Sequence, residues 1–287
     1  MKTLLAKLMG QWLNLLAWVA PATAGKKGFD LFCTPFGARL KPHQQEFLRT
    51  ATQTSFQVGD ESIQVYRWGS GSRKILFLHG WPSHSFRWKN YIQALSADQY
   101  TIYTLDAPAH GQSGGRILHV PKYAQAIQAF LEQTGEVDTV VSHSLGSFAS
   151  LYALFQNPSL PINKLVITGT PGEVEEFMYY YRDTLGLSKR ALHQIYQQFI
   201  QTVDHHPRYF SAPRFAEGIV IPGLIIHDQH DPDAPYHHAL RIQSAWKNAR
   251  LITTQGLGHN LKSKEVIQEI LHFIDHPSVA HMRVRDH

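Results

Sequence analysis

The chain has one cysteine in 287 residues, Cys33, which excludes an internal disulfide and fits a reducing compartment. With neither a Cys-rich pattern nor a histidine near it in sequence, Cys33 reads as a small buried apolar residue. Long apolar runs are also missing, and no stretch is long and apolar enough to span a bilayer. Basic residues outnumber acidic ones, 27 against 22, for a net charge of +5. They are scattered, however, without a basic run or a binding motif, so nucleic acid is not an expected partner. The 18 histidines lack metal-ligand spacing. His205-His206 and His237-His238 are adjacent pairs, whereas two ligands on one helix face stand three or four residues apart. The denser His227-Asp228-Gln229-His230-Asp231 falls where a strand should end. Neither a metal nor a cofactor is expected.

What is present describes an ordinary globular protein, 43% hydrophobic and 17% charged, able to bury a sizeable core. The opening MKTLLAKLMGQWLNLLAWVAPATAG leaves two readings. A basic start, an apolar middle and Ala22-Thr23-Ala24 fit a signal peptide, which would mean export. Lys7, Gln11 and Asn14 instead fall on one narrow polar face of a helix, with Leu4, Leu5, Leu8, Trp12, Leu15, Leu16 and Val19 covering the remainder. That pattern suits a retained helix packed on the protein, or in weak contact with a membrane surface. A cytoplasmic location is expected, with export or membrane association through residues 1–24 as the alternative.

Beyond this N-terminal helical segment, assigned to residues 1–50, SFQV and SIQVYRW flank Gly59-Asp60, a hairpin signal. Near-continuous apolar runs then alternate with helical stretches. The runs are KILFL (74–78), YTIYTL (100–105), VDTVV (137–141), KLVIT (164–168), GLIIH (223–227) and ARLITT (249–254). Helices are expected near 87–95, 121–134, 145–156, 236–246 and 264–274. Such alternation predicts a three-layer α/β domain, its mostly parallel sheet buried on both faces. The rhythm breaks at residues 173–218, which carry Phe177, Met178, Tyr179, Tyr180 and Tyr181 and then Leu192, Ile195, Tyr196 and Phe199. An aromatic stripe at helical spacing is ordinarily core. Here it follows a strand's carboxyl end, where open α/β sheets bind ligands, so a small helical lid is expected. The core then occupies 51–172 and 219–276, and 277–287 reads as a flexible tail.

The chemistry concentrates in VVSHSLGSFA, residues 140–149, where Ser144 sits between an apolar run and an amphipathic stretch. The pattern of a nucleophile elbow, G-x-S-x-G, misses only at Ser142, and the residue there must be small. A plain helix-capping serine would account for Ser144 but for neither Gly146 nor the aspartate and histidine that come later in a fixed order. A serine hydroxyl needs a base, and the base a carboxylate to orient it. Ser144, Asp231 and His259 come in that chain order, each after a strand. Donors for a developing oxyanion are expected from the backbone N–H groups of Leu145 and of Trp81, in LHGWPSHS.

Together HGWP, DAPAHGQSGG, SHSLGS, the late aspartate after IIH and GLGHN resemble the α/β-hydrolase fold superfamily, over roughly residues 55–275. The resemblance implies that fold and a Ser-Asp-His triad. Its pattern after the strand, roughly G-x-x-D with a proline further on, assigns Asp231 as the acid, since Asp228 stands in the glycine's place. Asp228 remains the alternative acid. His110 and Ser113 read as residues holding their loop beside the site. HGWPSHSFRW is similar to a loop of epoxide hydrolases and haloalkane dehalogenases, which use an aspartate nucleophile; Ser144 points away from that chemistry. The expected activity is hydrolysis of a small to medium carboxylic ester, a small-molecule substrate. An acyltransferase or a C–C bond hydrolase could use the same triad, and a binding module without catalysis could use the same scaffold.

Overall fold

A computed structural model describes residues 2–37 and 40–276, so the expected tail at 277–287 lies outside the described residues. In chain order the elements are α1 (Lys2–Val19), α2 (Pro21–Cys33), α3 (Pro42–Leu48), β1 (Thr52–Val58), β2 (Glu61–Trp68), β3 (Arg73–Leu78), α4 (Lys89–Ala94), β4 (Tyr100–Leu105), α5 (Val120–Thr134), β5 (Val137–His143) and α6 (Leu145–Gln156). They continue with β6 (Ile162–Thr168), α7 (Val174–Leu185), α8 (Lys189–Val203), α9 (Ala212–Ala216), β7 (Gly223–Asp228), α10 (His237–Ala245), β8 (Ala249–Thr254) and α11 (Lys264–Asp275). Among the described residues the chain forms two compact units. The larger holds 36–37, 40–115, 120–172 and 212–276, and the smaller holds 2–35, 116–119 and 173–211.

The larger unit is an eight-stranded sheet in the order β1-β2-β4-β3-β5-β6-β7-β8. β1 and β2 form the antiparallel hairpin and β2 runs antiparallel to β4; the other pairs are parallel. This is the mostly parallel α/β architecture that the alternation of apolar runs and helices predicts. Side chains alternate across each strand. Ile75, Phe77, Val141, Val166, Leu224 and Ile226 face one layer, where they meet Ile92 of α4 and Val266, Ile270 and Phe273 of α11. On the other layer α5 packs on α6, and α6 on α9. The α6 helix is buried almost all round, from Gly146 to Leu154, so it is held firmly from its first turn. At the strands' amino ends, Lys164 is buried against Asp138 (3.1 Å) and donates to the Ile274 carbonyl (2.6 Å), which pins the end of α11.

The smaller unit assembles α1, α2, α7 and α8. Phe29 of α2 meets Phe199 of α8 edge-on, with ring centroids 5.7 Å apart, and the Tyr181 hydroxyl of α7 donates to the Gly28 carbonyl (2.9 Å). A strap at 116–119 joins them, with the Leu118 N–H on the Cys33 carbonyl (2.8 Å). Cys33 itself is buried, as the lack of a Cys-rich pattern or a nearby histidine suggests. The α7–α8 corner is set by Gly186, left-handed at φ 69°, and by Ser188, whose hydroxyl caps α8 at the Ala191 N–H.

α1 lies on this unit through Gly10, Leu13 and Ala17, with Gly10 against the Leu185 carbonyl. Lys7 and Asn14 of this helix also turn toward the protein. The Asn14 amide donates to the Gly186 carbonyl (2.9 Å) and accepts from the Ser188 N–H (2.7 Å), and the Lys7 ammonium donates to the Asp183 carbonyl (2.7 Å). Asn14→Ala removes both bonds at the corner, worth about 1–2 kcal/mol together. Amide exchange measured across residues 2–19 should therefore quicken several-fold while the sheet's exchange is unchanged. Unaltered exchange in α1 would mean that Asn14 does not clamp it.

Candidate active site

β5 reaches the carboxyl edge of the sheet as an apolar run and stops at His143; α6 starts at Leu145. Between them Ser144 has φ 52° and ψ −120°, a conformation that costs a residue with a side chain about 1–3 kcal/mol. Its N–H donates to the Thr168 carbonyl (2.9 Å), which ties the turn to β6. The geometry separates the two small positions around it. Ser142 is buried with its hydroxyl on the Val166 carbonyl (2.9 Å), so a serine is accommodated where the elbow pattern has glycine. At Gly146 a Cβ would come within 2.6 Å of the carbonyl oxygens of both Leu78 and His79, and there only glycine fits.

The loop after β3 runs directly beside this turn, since a Cβ on Gly80 would lie 2.6 Å from that of Ser144. His79 holds the loop. Its Nδ1–H donates to the Gly80 carbonyl and its Nε2 accepts from the Ala107 N–H, each at 2.9 Å. Burial, then the neighbouring His110, pushes this ring well below its ordinary pKa, which keeps it neutral. Asp106, fully buried, organises the DAPAHGQSGG turn, accepting from the N–H groups of Ser85 (2.8 Å) and Gln112 (2.9 Å). Ser113 donates to the Asp106 carbonyl (2.6 Å) and the His110 ring to the Pro108 carbonyl (2.9 Å), both local tethers of that loop.

The three separated motifs meet. His259 Nε2 lies 3.0 Å from Ser144 Oγ, and His259 Nδ1 lies 2.8 Å from Asp231 Oδ2. Asp231 is held by the N–H groups of Asp233 and Ala234, both 2.9 Å from its other oxygen. Burial raises its pKa, but the His259 bond and these amides outweigh burial and leave the carboxyl below its ordinary value. Asp228 does not reach His259. Its oxygens accept from the His230 N–H (3.0 Å), the Thr254 hydroxyl (2.8 Å) and the Leu257 N–H (2.9 Å), and it shapes the two loops instead. Against the raising effect of burial, those donors hold it below the usual aspartate value. Asp231, Asp233 and His259 bring ligand atoms within 4.8 Å of one another, close enough for a cation. His259, however, spends both ring nitrogens on Asp231 and Ser144.

Two further histidines have places here that the sequence reading did not assign them. His143, next to the serine, is buried and donates from Nε2 to the backbone carbonyl of His259 (2.8 Å). Burial first, and then nearby cationic groups, drives its pKa well down, so it supports the His259 loop as a neutral ring. His227 donates to the Ala234 carbonyl (2.7 Å) beneath Asp231. The only sequence signal for either is a histidine inside a motif otherwise built of small residues or aspartates.

The chain is similar to known proteins. The model of a family described as the alpha/beta hydrolase family fits residues 75–269. The dihydrolipoyllysine-residue acetyltransferase component of the acetoin cleaving system of Cupriavidus necator is 30% identical over 135 residues, 46% of this chain and 36% of that protein. The pimeloyl-(acyl-carrier protein) methyl ester esterase of Edwardsiella ictaluri is 28% identical over 103 residues, 36% of this chain and 39% of that protein. The chain thus spans well under half the length of these two relatives. A lipase candidate from Acinetobacter baumannii has a solved structure with TM-score 0.62 and 18% identity, covering 83% of this chain and 99% of its own.

The two aspartates separate by experiment. Asp231→Asn should lower kcat by about 10³ or more, because the histidine loses the partner that sets its tautomer. Asp228→Asn should leave far more activity but lower Tm at pH 7. A carboxyl held below its ordinary pKa of 3.8 stabilises above that value and loses the contribution as pH falls through the lowered one. The Tm gap between wild type and Asp228→Asn should therefore shrink from pH 7 to pH 3. A gap that widens on acidification would contradict this role.

Proposed function

The chain belongs to the alpha/beta hydrolase family, and from that premise we propose that it is a serine hydrolase cleaving small to medium carboxylic esters. The observation that carries this reading is the unbroken relay from Ser144 through His259 to a buried, amide-held Asp231. In the proposed reaction Ser144 Oγ attacks the acyl carbonyl while His259 Nε2 takes its proton, then returns it to the departing alcohol. Water repeats the sequence on the acyl-enzyme: His259 removes a proton from it and passes it back to Ser144 as the acid leaves. Asp231 keeps the proton on Nδ1 and stabilises the imidazolium that forms at each step.

The oxyanion would be held by two backbone donors. Leu145, as the first residue of α6, has an N–H that no earlier turn can accept, and it lies at the positive end of the helix dipole. Trp81 follows Gly80, which touches Ser144. Hydrolysis is supported by the methyl ester esterase among the relatives; the acetyltransferase component makes transfer to another acceptor the second reading. Products formed with added alcohols separate the two.

A fluorophosphonate probe should add one label to the wild type and none to Ser144→Ala, read by intact mass. A label on the alanine variant, mapped to another serine, would refute the nucleophile. With p-nitrophenyl esters, kcat/KM should rise about fourfold per methylene at first, from about 0.8 kcal/mol per buried CH₂, and fall once the pocket is full. A profile still climbing at long chains, with a jump once micelles form, would replace this reading with a lipase-like one.

A further inference from the structure

α1 is amphipathic in the inverted sense. A helix docked on a globular unit normally turns its leucines inward. Here Gly10, Leu13 and Ala17 face in, Lys7 and Asn14 bond to the α7–α8 corner, and the large apolar residues face out. Leu4, Leu5, Leu8, Trp12, Leu15, Trp18 and Val19 are each between 45% and 73% exposed. At 3.6 residues per turn they occupy an arc of about 140° on which Gln11 is the sole polar side chain. Single exposed apolar residues are ordinary, but seven on one face form a contiguous patch that water does not favour.

Basic residues predominate among the charges near α1 in sequence and in contact with it. Lys7, Lys26 and Lys27 precede the first acidic residue, Asp30, which pairs with Lys26 (3.0 Å). Arg190 of α8 donates to the Ala17 carbonyl (2.8 Å) and lays its guanidinium 4.3 Å from the centre of the Trp18 ring, a cation at the edge of the apolar arc. Asp183, whose carbonyl Lys7 meets, pairs its own carboxylate with Arg182. Two copies of this face would bring like charges together. An anionic bilayer meets it with opposite charge and with hydrocarbon for the leucines. The chain has no helix long and apolar enough to cross a membrane among its described residues, so the helix would lie along the surface.

We propose that α1 docks this protein on anionic lipid surfaces, its apolar arc in the headgroup–acyl boundary and its cations at the phosphates. Flotation of the full chain with phosphatidylcholine vesicles, with and without phosphatidylglycerol, tests this. Wild type should float with the anionic vesicles at least about tenfold better than with neutral ones, and less so as salt is raised. Leu8→Ser/Trp12→Ser/Leu15→Ser, with an unchanged circular dichroism spectrum and Tm, should stay at the bottom, and Lys26→Gln/Lys27→Gln should float less. Wild type remaining at the bottom with anionic vesicles overturns the proposal, as does equal flotation on neutral ones. A solution dimer that the triple serine variant dissolves, without flotation, would assign the face to a second copy.

Discussion

The site depends on one serine being kept in a left-handed backbone conformation that its own side chain resists. That strain is held on three sides. β6 takes the Ser144 N–H, the end of β3 leaves room for nothing larger than glycine at 146, and α6 is buried from its first turn. Each holding element belongs to the core of the larger unit. The turn therefore cannot relax without disturbing packing worth far more than the 1–3 kcal/mol it stores. Placing the proposed nucleophile on a strand-to-helix turn uses the rigidity of the sheet to hold its buried hydroxyl against His259.

Around that serine the charge arrangement is economical. His79, His143 and His227 are all pushed toward the neutral form by burial, and each donates to a backbone carbonyl of a site loop. They brace the loops without adding positive charge beside His259. Asp231 is the carboxylate bonded to His259, and two amides secure its second oxygen. A positive charge that develops on His259 thus meets one fixed counter-ion rather than competing cations.

Much of this was legible in the sequence for a physical reason. A parallel sheet buried on both faces writes each strand as an apolar run, and reactive groups stand where those runs end. Ser144, Asp231 and His259 could be picked out because each comes after such a run. The two loop aspartates differ only in which oxygens meet which N–H groups, a matter of fractions of a turn that residue type does not encode. Ser142 looked like a defect because a pattern treats both flanking small positions alike, whereas Val166 offers one of them a hydrogen-bond acceptor. For α1, the sequence revealed two faces but not which one meets the protein. That choice is made by the open carbonyls at the α7–α8 corner, about 170 residues further along the chain (|i−j| = 172 for Asn14 to Gly186).

That separation has a consequence in time. The smaller unit is stitched from three stretches of chain, and its central contacts join α2 to α8, so most of its buried surface is non-local in sequence. During synthesis α1 and α2 emerge first, and at about 5–20 residues per second they wait on the order of ten seconds before α8 exists to receive them. The larger unit can begin to organise β1 to β6 in that interval, whereas the first two helices cannot complete their fold. The first two helices are thus made well before α8 and are among the last parts of this chain to find their place.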